Sequence, residues 1–127
     1  MTTSSSLSPA KRRIFWGVRI FLALVFASAG IAKLVGVPQM VQVFDAIGAG
    51  QWFRYLTGSV EILGALLLVV PATGFAGGLL LLATMVGAIF THLLLIGGNP
   101  MPAMVLGLLS AVVAWRLRPA PFPTVTN

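Results

Sequence analysis

The chain has 127 residues, 58% of them hydrophobic and 8% charged, with a mean hydropathy of +1.03; an average soluble domain carries roughly 25% charged residues. This is the composition of an integral membrane protein, and the length suits one compact unit of helices of about 20 residues each. With no Cys and a single His, disulfides, thiolate catalysis and iron–sulfur ligation are excluded, and no metal site is expected, because common sites need three or more protein ligands.

In chain order, residues 1–13 are rich in Thr and Ser, end in Lys11, Arg12 and Arg13, and are expected to form a disordered basic tail. Residues 14–37 are apolar except for Arg19, Ser28 and Lys33. The basic cluster, apolar run and Ala27-Ser28-Ala29 imitate a secretory signal, but Arg19 interrupts its core and the run continues far enough to span a bilayer. A retained first helix is therefore expected. After Pro38, residues 39–47 read as a short interfacial segment with Asp45 on its wet side. Trp52, Phe53 and Tyr55 form an aromatic cluster of headgroup type, and residues 53–70 make the second helix. Pro71 to Gly74 turn the chain back, 74–96 form the third helix, and Gly97 to Pro100 turn it again. The fourth helix covers 101–117, with Pro102 in its first turn, and 118–127 form a Pro-rich tail. The membrane domain is 14–117.

The net charge of +6 gathers beside hydrophobic segments, so it reads as an orientation signal and not as a nucleic-acid footprint. Lys11, Arg12, Arg13, Arg116 and Arg118 flank the outermost ends of the first and fourth helices, which the positive-inside rule places in the cytoplasm. Trp16 and Trp115 then fall at the inner interface and Trp52 at the outer one. The expected fold is an all-α, up-and-down bundle of four transmembrane helices with both termini cytoplasmic.

Glu61 is the organising residue, because an acid deep in an apolar helix needs a partner or a proton. At about 1.5 Å of rise per residue, Arg19 lies about 7 Å and Glu61 about 13 Å from the cytoplasmic edge, within reach of each other. Lys33 and His92 fall nearer the outer interface, so the polar groups form two layers. Arg19 and Glu61 read either as a buried ion pair or as a proton or ligand site. Lys33 reads as a snorkelling residue or as a charge at that site, and His92 as an interfacial hydrogen-bonding residue or a proton carrier. Arg54 reads as an interface anchor, and Thr84 and Thr91 as bonded to their own helix. Gly30, Gly58 and Gly64, with Gly107 and Ala111 on the fourth helix, offer small-residue packing faces.

Arg19, Gly30-Ile31-Ala32-Lys33-Leu34, Gly58-x-x-Glu61-x-x-Gly64 with Leu66-Leu67-Leu68, and Ala83-Thr84-Met85 with His92 resemble, in order and spacing, the successive motifs of the DoxX family of small four-helix membrane proteins. The resemblance runs from about Gly17 to Trp115. It implies an inner-membrane subunit or anchor of a redox system, quinone-linked or concerned with oxidative stress, with peripheral redox proteins as partners. Nothing in the chain is a redox centre, so no cofactor is intrinsic and electron transfer would require a bound quinone or a partner protein; in the quinone version Glu61 and His92 would exchange protons with the ring oxygens, with Arg19 and Lys33 setting the charge. Two other readings stay open: a small proton-coupled dimeric transporter working through Glu61, and a purely structural membrane scaffold.

Overall fold

A computed structural model describes residues 7–121. Among them are α1 (Pro9–Val35), α2 (Pro38–Ile47), α3 (Trp52–Val69), α4 (Gly74–Thr91) and α5 (Met101–Leu117), with a 3-10 turn at Pro71–Thr73 and a π-helical turn at His92–Ile96. No strand occurs among the described residues. Three stretches, Pro9–Val35, Trp52–Val69 and Pro71–Ile96, are long and apolar enough to cross a membrane, and Met101–Leu117 is a shorter apolar helix.

Local chemistry sets the helix ends. α1 starts five residues before the expected Ile14, because the Ser8 hydroxyl caps the Lys11 N–H at 3.3 Å and Pro9 occupies the first turn, where it loses no hydrogen bond. Lys11, Arg12 and Arg13 thus ride on exposed helical turns instead of a tail. Residues 1–6 and 122–127, the outer parts of the two expected tails, lie outside the described residues. The expected interfacial segment is a helix of 10 residues, α2, set between Gly36 and Gly48. Both glycines have left-handed backbones, φ 73° and 83°, a conformation that ends a helix without Cβ strain. The third expected helix does not run regularly to Ile96. Its last turn widens into a π turn at His92.

The long helices form a ring in which α1 packs on α3, α3 on α4, α4 on α5, and α5 touches α1. Close approaches give the directions. Gly30 meets Gly58 while Arg19 meets Leu68, so α1 and α3 are antiparallel. Gly64 meets Leu81, and Gly107 meets Met85 while Gly78 meets Ala114, so direction alternates through α5. Leu22, Phe26, Leu68, Leu81 and Val113, at 0–1% exposure, form the centre of the core.

Glycines allow the helices to approach. A Cβ on Gly30 would lie 2.7 Å from the Gly58 carbonyl oxygen and 2.7 Å from an Ile62 side-chain carbon, and one on Gly64 would lie 2.6 Å from Leu81. Backbone packing of this kind substitutes for the hydrophobic drive that lipid does not supply. On α5 the seam runs through Ala103, Gly107, Ser110 and Ala114, all buried, and not through Ala111, which is half-buried.

Candidate functional site: an ion pair in the wall of an apolar cavity

Glu61 is paired with Lys33. The ammonium lies 3.0 Å from Oε1 and 3.2 Å from Oε2, with the Glu61 side chain 3% exposed. Both come from one close helix contact: a Cβ on Gly58 would sit 3.0 Å from Lys33 Cβ, so only glycine lets the lysine stem run down α3 toward the acid one turn below.

Arg19 is not the partner of Glu61, which corrects the depth argument. That argument set Ile14 level with Val70, whereas Arg19 itself is level with Val70. Its Nε donates to the Leu68 carbonyl at 2.8 Å and its Nη2 to the Val70 carbonyl at 3.0 Å. About seven residues of helix, roughly 10 Å, separate Leu68 from Glu61. Buried at 3% exposure, with its guanidinium 4.0 Å from the Trp16 ring centroid, Arg19 satisfies carbonyls left open where α3 ends. Thr73 Oγ1 does the same for Leu67, at 2.9 Å.

Arg54, expected to be an interface anchor, is 5% exposed and has the matching role at the other end. It donates through Nη1 to the Lys33 carbonyl, at the end of α1, and through Nε to Gln51 Oε1 at 2.7 Å. Gln51 Nε2 donates in turn to Asp45 Oδ1 at 2.7 Å and to the Val41 carbonyl at 3.1 Å. The backbone of Lys33 and the whole of α2 are thereby tied to the start of α3. A signal for Arg54 was present: it precedes Glu61 by seven residues and Gly58 by four, which puts it on the same inward face.

Between α1, α2, α3, α4, the π turn and α5 lies a cavity of about 670 Å³. Lys33, Glu61 and His92 all line it, so the structure gathers three of the four site candidates and leaves Arg19 outside. Most of the remaining wall is apolar, with Phe26, Val43, Phe44 and Met85 among its members. His92 reaches it from the start of the π turn, its Nδ1 2.8 Å from the Ala88 carbonyl. A carbonyl only accepts, so Nδ1 carries a proton toward it and Nε2 is the ring nitrogen left for the cavity. A volume of several hundred Å³ with apolar walls and a few polar groups is typical of a small-molecule site. Among the described residues no cluster of His, Asp or Glu suits a metal.

Residues 18–117 match the family model described as the DoxX-like family. The chain is also similar to "Putative oxidoreductase CatD" of Bacillus subtilis (strain 168), at 27% identity over 74 residues, 58% of this chain and 55% of that protein. The matched region thus spans about half the length of that relative. No solved structure matches the chain significantly.

Proposed function

Since this chain belongs to the DoxX-like family, we propose that it is a multi-pass protein of the bacterial plasma membrane that holds a lipophilic quinone in the cavity beside Lys33, Glu61 and His92, as the membrane subunit or anchor of an oxidoreductase system. One observation carries the reading: an ion pair and a histidine share the wall of an otherwise apolar cavity of about 670 Å³. The printed name of the relative CatD points in the same redox direction.

In this reading α1, α3, α4 and α5 all cross the bilayer, α5 with about 26 Å of helix against a hydrocarbon core of about 30 Å. The helical Lys11, Arg12 and Arg13 and the terminal Arg116 and Arg118 mark the cytoplasmic end. Asp45, Gln51 and α2 then lie at the outer interface, and the cavity sits in the outer half of the bundle.

A bound quinone supplies the coupled electron and proton chemistry that these side chains lack. Glu61 holds a proton-accepting carboxylate against the ligand, Lys33 compensates its charge, and His92 Nε2 offers a second site of proton exchange. Phe26, Phe44 and Met85 exclude water around them. A transporter using Glu61 for a cationic substrate is disfavoured, because an ammonium of the protein already occupies that carboxylate at 3.0 Å.

The test is purification in mild detergent followed by mass analysis of extracted lipids. Wild-type protein is expected to carry a lipoquinone near one per chain, and Ala88→Phe, which adds bulk at a lining position, is expected to lose it while keeping its helical circular dichroism. Protein free of quinone and unable to bind an added one sinks the reading.

A further inference from the structure

The cavity is not closed on every side. α3 and α4 touch backbone to backbone at one end of their seam, where a Cβ on Gly77 would lie 3.0 Å from both the Gly64 carbonyl oxygen and the Leu68 nitrogen. Val60 and Thr57 precede Gly64 by four and seven residues, and Thr84 and Ala88 follow Gly77 by seven and eleven, so they prolong the same facing stripes of the two helices. All four line the cavity. Beyond Gly64 and Gly77, then, the space between the stripes belongs to the cavity. It also reaches the outer flank of the seam, since Leu56, Ala83 and Gly87 line it and are exposed. A Cβ on Gly87 would meet nothing within 4 Å. On the opposite side, between α1 and α5, the lining residues Val25, Ala29 and Leu106 are half-buried, and the other exposed lining residue, Gln39, stands on the first turn of α2.

Resting on the quinone reading above, we propose that the cavity opens sideways into the bilayer between the parted ends of α3 and α4. It takes a chain-bearing amphiphile whose head lies at Lys33 and Glu61 and whose hydrocarbon chain leaves past Ala83 and Gly87. Leu63, Val86 and Phe90, exposed on the same two helices, belong to stretches long and apolar enough to cross a membrane, so the opening meets hydrocarbon and not water. A cavity of about 670 Å³ encloses a drug-sized body, and a long chain has to leave it. Through this opening the chain never enters water, so none of its hydrophobic free energy is lost. Ligand exchange then runs between the cavity and the membrane's own pool, with Phe44 and Ile47 of α2 closing the cavity toward the outer interface.

Two probes with one head group separate chain from head: decylubiquinone, and the same dimethoxy-methyl-benzoquinone ring without a chain, each titrated calorimetrically into the detergent-purified full-length protein. Gly87→Trp and Ala83→Trp fill the opening and are expected to weaken decylubiquinone at least about tenfold relative to wild type, the order of an overpacked contact. Affinity for the chainless ring is expected to stay within about twofold, and it also reports that the variants are folded. Val25→Trp and Gln39→Trp, at the other sides of the wall, are expected to treat the two probes alike. Equal effects of Gly87→Trp on chain and ring, or a chain-selective loss in Val25→Trp or Gln39→Trp instead, overturn the opening between α3 and α4 while the quinone site stands. Wild-type protein that binds neither probe overturns the site itself, and the opening with it.

Discussion

Lys33 and Glu61 stand 28 residues apart in sequence and 3.0 Å apart in space, and the contact exists because Gly30 and Gly58 bring α1 and α3 together just above it. Arg54 fixes the same lysine from behind, through its backbone carbonyl. The ion pair is thus the meeting point of a backbone seam, a buried arginine and a cavity.

Removing one member of this pair leaves the other charge uncompensated in an apolar wall. Lys33→Met and Glu61→Met are each expected to destabilise the fold by about 3–5 kcal/mol, whereas the double variant carrying both should cost much less. Denaturation in detergent, arranged as a double-mutant cycle, gives the coupling. Additive losses would mean that the two side chains do not interact.

Arg19 separates structure from site. Replacing it with Met leaves the Leu68 and Val70 carbonyls without their donor, and a loss of roughly 1.5–3 kcal/mol per charge-assisted bond is expected. Ligand binding in the cavity, about 10 Å away along α3, should be unchanged. A folded Arg19→Met protein that had lost quinone would place Arg19 in the site after all.

The sequence made the helices legible, because apolar length and Pro-Gly punctuation are local properties: Pro38, Pro71 and the Gly97-Gly98 pair lie where elements end. Face assignments were also legible, since Gly58, Glu61, Gly64 and Leu68 recur at helical spacing and are all buried. Register was not. Which basic residue meets Glu61 depends on how far α1 slides along α3, and that is set by the Gly30–Gly58 contact, which is not visible in a count from a presumed membrane edge. The role of Arg54 needed the same knowledge, because its acceptors belong to α1 and, through Gln51, to α2. The cavity needed α2 placed over the bundle, which no periodicity specifies.

Arg54→Lys keeps the charge but cannot reproduce the fork that joins the Lys33 carbonyl to Gln51. The consequence should appear in α2, which Gln51 anchors at Val41 and Asp45. Amide exchange across Pro38–Ile47 is expected to accelerate several-fold, with α4 and α5 unaffected. Exchange that rises equally in every helix would instead indicate global destabilisation.

Glycines grade by position, which allows the packing to be tested within one residue type. Gly30→Ala places a Cβ 2.7 Å from the Gly58 carbonyl oxygen, a backbone atom that cannot move aside, so α1 and α3 must separate and the Lys33–Glu61 pair must stretch. Gly17 and Gly87 have nothing within 4 Å of an added Cβ, and alanine there should stabilise by up to about 1 kcal/mol through helix propensity. Gly107→Ala is intermediate, since Met85 Cβ lies 3.2 Å away, a contact that a shift of α4 by a few tenths of an ångström relieves. The expected stability order is Gly17→Ala and Gly87→Ala first, then Gly107→Ala, with Gly30→Ala least stable. Thermal unfolding in one detergent measures it, and a Gly30→Ala protein as stable as Gly17→Ala would show that α1 and α3 do not approach this closely.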